Sequence, residues 1–151
     1  MNVFDPPLSG TERTLIFVLR ALGILDLFAL VAVAMPFEWC AIAHAALGMG
    51  ELPEKPIVDY LIRSTSLLYA LHAAMILYLS CDVRRYGPLI TFFAWITLVH
   101  GTILGIVDWH AGMPLWWSIQ EPVAYWVIGS VVLLLRRGIG KSFPETRAAP
   151  L

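Results

Sequence analysis

Residues 14–35 read TLIFVLRALGILDLFALVAVAM, an apolar run interrupted by Arg20 and Asp26 and closed by Pro36. A helix needs about 20 mainly apolar residues to cross a hydrocarbon layer about 30 Å thick, so this stretch predicts a membrane-spanning helix. It is not built like a cleavable signal peptide. The apolar core is too long, it carries two ionisable side chains, and it ends in Met35-Pro36-Phe37 rather than at a small-residue cleavage site. The expectation is that it persists as a helix.

Working outward, three further stretches meet the same criterion, at about 57–81, 89–108 and 115–135. Pro56 precedes the first of these, Gly87-Pro88 opens the second, and Pro122 lies in the first turns of the third, where it either kinks the helix or marks its true start. The fold class this predicts is all-α: an integral membrane four-helix bundle forming a single domain over 1–151. The short connections between the second, third and fourth helices predict antiparallel packing of sequential neighbours. Residues 37–47 are apolar but too short to span, and Gly48 and Gly50 end them. They predict a short interfacial helix in the outer loop, lying in the interface or folded over the bundle mouth.

Composition agrees. Of 151 residues, 59% are hydrophobic and 14% charged, and the mean hydropathy is +0.76. Soluble domains carry about 25% charged residues, so this chain has too few to cover a water-facing surface. The same balance excludes disorder, a disulfide scaffold and a basic nucleic-acid binder, since the formal net charge is −1. With an even number of crossings both termini share a side. That side holds Arg13, Arg84, Arg85, Arg136, Arg137, Lys141 and Arg147, with Arg20 just inside, whereas the other holds Lys55 and Arg63 among Glu38, Glu51, Glu54, Asp59, Asp108 and Glu121. This bias predicts a bacterial-type cytoplasmic membrane with both termini cytoplasmic. Cys40 and Cys81 then fall at opposite ends, too far apart for a disulfide.

Ionisable groups within apolar spans are costly, and each is a functional hypothesis by default. Asp26 and His100 each lie about 12 residues, roughly 18 Å, from the inner ends of their helices, and His72 about nine residues from the inner end of its own. Three side chains on three helices thus share one depth. Thr65, Tyr69 and His72 fall on one helix face, and Thr97 and His100 are three apart on the next. These candidate catalytic residues suit an acid–base pair, a proton relay or a bis-histidine haem. The bland reading is a buried, hydrogen-bonded layer, with Asp26 paired to Arg20 or to a histidine. Arg63, Asp108 and Glu121 form a second group in the outer half, either a structural ion-pair network or a ligand pocket walled by Cys40, His44, His110, Trp109, Trp116 and Trp117. A buried arginine there would suit a carboxylate, a sulfur oxyanion or a quinone carbonyl. No closely spaced histidine motif predicts a metal site. Gly101-x-x-x-Gly105 and the Ala73/Ala74 pair predict close helix approach.

The layout resembles the DoxX-like group of small four-helix bacterial membrane proteins. The resemblance is carried by Leu19-Arg20-Ala21-Leu22-Gly23, the break at Pro36, Tyr60-Leu61-Ile62-Arg63-Ser64 and Asp82-Val83-Arg84-Arg85-Tyr86. To these it adds Asp108 with Gly112-Met113-Pro114, and Glu121 near the start of the last helix. It implies a four-helix bundle. Some members are linked to thiosulfate:quinone oxidoreductase complexes and others to oxidative-stress or thiol responses. The long 36–56 loop departs from that layout, and His72 and His100 belong to none of its motifs.

The functional expectation is therefore an accessory or redox/quinone-associated subunit of a larger membrane complex; no cofactor is assigned to the accessory form, and haem or quinone would belong to the redox form. The alternative is a small membrane enzyme or binding protein for an apolar, lipid-like ligand at the Asp26/His72/His100 layer. Expected partners are membrane lipids and either another membrane protein or a second copy, with no nucleic acid. Transport is the least favoured class, because no inverted repeat or broken helix pair is visible.

Overall fold

The computed structural model describes residues 7–142 and is all-helical over them. Six helices follow in order: α1 (Gly10–Leu27), α2 (Leu30–Ala34), α3 (Phe37–Ala46), α4 (Pro56–Leu79), α5 (Gly87–Ala111) and α6 (Leu115–Ser142). Four stretches are long and apolar enough to cross a membrane: Gly10–Ala34, Pro56–Leu79, Gly87–Ala111 and Leu115–Ile139.

The first stretch starts earlier than its hydropathy suggests. Ser9 accepts from the Glu12 backbone N–H at 3.2 Å while the Glu12 carboxylate accepts from the Ser9 backbone N–H at 2.7 Å, a reciprocal capping box. It is also not one regular helix. Phe28 and Ala29 donate three residues back, to Leu25 and Asp26, so the backbone tightens just after Asp26 before α2 resumes. Pro122 does not start α6: it sits inside that helix and packs against Gly105 of α5. Arg147 and the Lys141 side chain, counted among the terminal-side cations, lie outside what is described.

Glycines decide which helices pack. A Cβ placed on Gly101 would come within 2.7 Å of Tyr125 Cβ, and one on Gly129 within 2.9 Å of the Ala94 carbonyl, so α5 and α6 touch closely along their length. Gly23 brings α1 against Ala73 and Leu77 of α4 in the same way, and α1 also packs on α6. No glycine lies in α4, and Gly101 and Gly105 of α5 are spent on α6. The expected antiparallel packing of sequential neighbours therefore holds for α5 with α6 and fails for α4 with α5. The helices run α4–α1–α6–α5 as an open arc.

The arc is closed only at the end where α1 begins and α6 finishes. Leu15, Leu19, Leu79, Val83, Ile90, Val132 and Ile139 form a continuous buried core there. Arg84 clamps the same end. Its Nη2 donates to Glu12 Oε2 at 2.9 Å and its Nε to Oε1, and Glu12 is wholly buried. At the other end α3 packs closely on none of the long helices, with Trp39 and Ile42 exposed. It lies off the bundle rather than folded over its mouth.

Elsewhere the long helices turn their apolar side chains outward. Between 11% and 22% of each apolar window is buried, and Phe17, Leu68 and Trp109 are 72%, 65% and 73% exposed. In water so large an apolar belt would drive aggregation.

Candidate functional site

The open face of the arc encloses a cavity of about 420 Å³, within the range of small-molecule sites. All four long stretches contribute to it: Asp26 from α1, Tyr69 and His72 from α4, Thr97 and His100 from α5, and Tyr125 from α6. Leu22, Leu68, Ile76, Phe93, Ile96 and Ile128 make up its apolar walls. Below His72 a narrow recess of about 40 Å³ runs on toward Leu79, Ile90 and Val132 of the closed end.

The layer expected from depth alone is thus assembled around one space. His72 Nδ1 lies 2.9 Å from Asp26 Oδ2. An ionised carboxylate only accepts; in that state the pair carries the imidazole proton on Nδ1 and leaves Nε2 to the cavity as an acceptor. Side-chain exposures of 43% for His72 and 28% for Asp26 keep the pair open to the cavity. Asp26 takes the histidine rather than Arg20, whose Nε reaches toward Ser80 Oγ at 3.5 Å.

His100 does not join that pair. Its ring meets Tyr125 edge to face, with centroids 4.8 Å apart, and the Tyr125 hydroxyl stands 3.5 Å from that of Tyr69. The Thr97 hydroxyl donates to the Phe93 carbonyl at 2.8 Å, leaving its lone pairs to the cavity. The cavity thus has an Asp26–His72 side and a Tyr69–Tyr125–His100 side, both able to hydrogen-bond a guest. Tyr125 was missed in the sequence reading. The available signal was its place one turn after Glu121, on the side of α6 that the Gly101 ridge receives.

The outer group does not assemble as expected. Arg63 Nε donates to Asp59 at 3.0 Å, and its Nη groups donate to the carbonyls of Val33 and Met35. α2 stops before Pro36, so these last carbonyls have no donor from a following helical turn and the Arg63 side chain satisfies them. Asp59 and the end of α2 thereby draw Arg63 away from Asp108 and Glu121. The latter two remain close enough to interact, with Glu121 Oε2 accepting from Trp117 Nε1 at 2.7 Å. His44 Nδ1 lies 3.0 Å from the Gly50 carbonyl and belongs to the loop rather than to a pocket wall. Cys40 and Cys81 are both free. Among the described residues no three His, Cys, Asp or Glu side chains gather as a metal-binding group.

No family model, no curated protein and no solved structure matches this chain.

Proposed function

We propose that this chain is an integral membrane protein whose four apolar stretches span a bacterial-type cytoplasmic membrane with both termini inside, and that it binds an apolar, lipid-like molecule at the Asp26/His72/His100 layer. Membrane insertion is supported by the outward-facing apolar belt, which lipid would cover without cost. Orientation is supported by the cation bias of the terminal end. The observation that carries the binding reading is the cavity itself: about 420 Å³ with a hydrogen-bonded carboxylate–histidine pair on its wall. A purely structural polar layer would close onto itself, whereas this one is open.

The chemistry available there is proton transfer. Asp26 accepts from His72 Nδ1 and orients the ring, and Nε2 takes a proton from, or returns one to, a guest's polar head, as in other carboxylate–histidine pairs. Tyr69, Tyr125 and His100 would hold that head from the opposite wall.

The DoxX-like reading, a redox- or quinone-associated accessory subunit, meets the same cavity. It is favoured by one observation, that the Tyr69 and Tyr125 hydroxyls on the cavity wall can donate to a carbonyl of a ring. The residues present fit a quinone in that respect, and a bound quinone would supply two-electron redox chemistry. Absorption spectra of oxidised and dithionite-reduced protein distinguish the versions: a Soret band that shifts on reduction supports haem, and extracted quinone supports the quinone-linked form.

Binding is tested by photolabelling the membrane-embedded protein with a photoactivatable long-chain alcohol and mapping the cross-linked peptides. The expected result is labelling concentrated on the α4 and α5 segments that line the cavity and lost in His72→Ala. Labelling spread evenly over the lipid-facing surface would contradict the reading.

A further inference from the structure

The geometry points to a guest with an uncharged hydroxyl- or carbonyl-bearing head, which enters sideways from the membrane between α4 and α5; this rests on the binding site proposed above. Head-group charge is decided by what lines the cavity. No lysine or arginine does so. Of the cations nearest in sequence to the layer, Arg20 reaches Ser80 toward the closed end, and Arg63 is committed to Asp59 and the α2 carbonyls. A carboxylate or phosphate head would therefore be desolvated with no lysine or arginine as counter-charge, beside Asp26. An ammonium head would seek Asp26, but Oδ2 of that carboxylate already accepts from His72 Nδ1 at 2.9 Å, and the remaining oxygen would have to offset the full desolvation of the cation alone. What remains on the walls is a set of neutral donors and acceptors: His72 Nε2, the Tyr69 and Tyr125 hydroxyls, Thr97 and His100. These match a group that both accepts and donates hydrogen bonds without carrying charge.

The route follows from the arc. α4 and α5 are joined at the closed end, where Leu79, Val83 and Ile90 are buried, and are not closely packed along their length. Cavity residues on both edges face outward at mid-length, Leu68 at 65% exposed on α4 and Ile96 at 46% on α5. This opening is flanked by apolar side chains and lies about midway along helices about 36 Å long, so it meets hydrocarbon rather than water. A guest using it is already dissolved in the membrane, and its chain leaves by the same cleft.

The test uses the full-length protein in lipid vesicles and the photoactivatable alcohol, challenged with dodecanol, dodecanoate or dodecylamine. Dodecanol is expected to displace the label at concentrations at least about tenfold below either charged chain. If dodecanoate or dodecylamine competes as well as dodecanol, the uncharged head is overturned while the binding site stands. If no chain competes and labelling is not confined to the cavity helices, the binding site itself falls. For the route, Leu68→Trp and Ile96→Trp place bulk at the cleft and are each expected to slow labelling about tenfold. Unchanged rates in both variants, with dodecanol still competing, overturn lateral entry alone. Head-group selectivity is read on the unaltered protein, so it stands whether or not the variants fold.

Discussion

His72 and Asp26 meet at 2.9 Å across the α1–α4 contact, the only ion-pairing contact to a cavity-lining residue among those described. Gly23, three residues before Asp26, makes the meeting possible, because its missing side chain lets α1 approach Ala73, the neighbour of His72. The backbone tightening after Asp26 then turns the chain into α2.

Replacing Asp26 with Asn keeps the shape of the pair and removes its charge. The Asn amide can donate to Nδ1, and the imidazole proton then moves to Nε2, where it faces the cavity. Nitrogen-15 spectra of the imidazole should show His72 as the Nδ1–H tautomer in the unaltered protein and as the Nε2–H tautomer in Asp26→Asn. Any proton-transfer activity should fall by about 10²-fold or more with little change in stability.

Close packing of α5 on α6 gives a second expectation. Gly101→Ala would bring a methyl to within 2.7 Å of Tyr125 Cβ and 3.2 Å of the Pro122 carbonyl, an overpacking worth about 1–3 kcal/mol. Gly10→Ala meets nothing within 4 Å and should change stability by less than about 0.5 kcal/mol. Unfolding of the detergent-solubilised protein by denaturing detergent separates the two.

At the closed end, Arg84→Ala strands the buried Glu12 carboxylate and should cost about 1–3 kcal/mol. Glu12→Ala together with Arg84→Ala should cost less than the sum of the single changes, because the double variant leaves no buried charge unpaired. A double-mutant cycle measured by the same unfolding assay reads that coupling.

The two cysteines report orientation directly. Cys81 is exposed at the end where α1 begins and Cys40 is half-buried at the other. With both termini cytoplasmic, a membrane-impermeant maleimide added to intact cells should label Cys40 and reach Cys81 after permeabilisation. The reverse order would invert the proposed topology.

How far these relations were legible in the sequence depends on their range. The long helices follow from apolar runs, and the shared depth of Asp26, His72 and His100 follows from helical rise, because both are local properties of one chain direction. The early start of α1 was also legible in Ser9-Gly10-Thr11-Glu12, a capping-box pattern that hydropathy alone passes over. Partner choice was not legible. Arg84 reads as a topology determinant until Glu12 is seen buried against it, and Arg63 reads as part of an outer pocket until the open carbonyls before Pro36 are counted. The cavity was the least legible feature, because it arises from glycines that pull α1 to α4 and α5 to α6 while none draws α4 to α5.

The most direct test of the whole account is mass spectrometry of an organic extract of the protein purified from its native membrane, beside the same extract of His72→Ala. The account predicts one uncharged amphiphile, present at near-equimolar amount with the unaltered protein and depleted at least about tenfold in the variant. Two extracts with the same profile, matching the bulk lipid of the membrane, would contradict it.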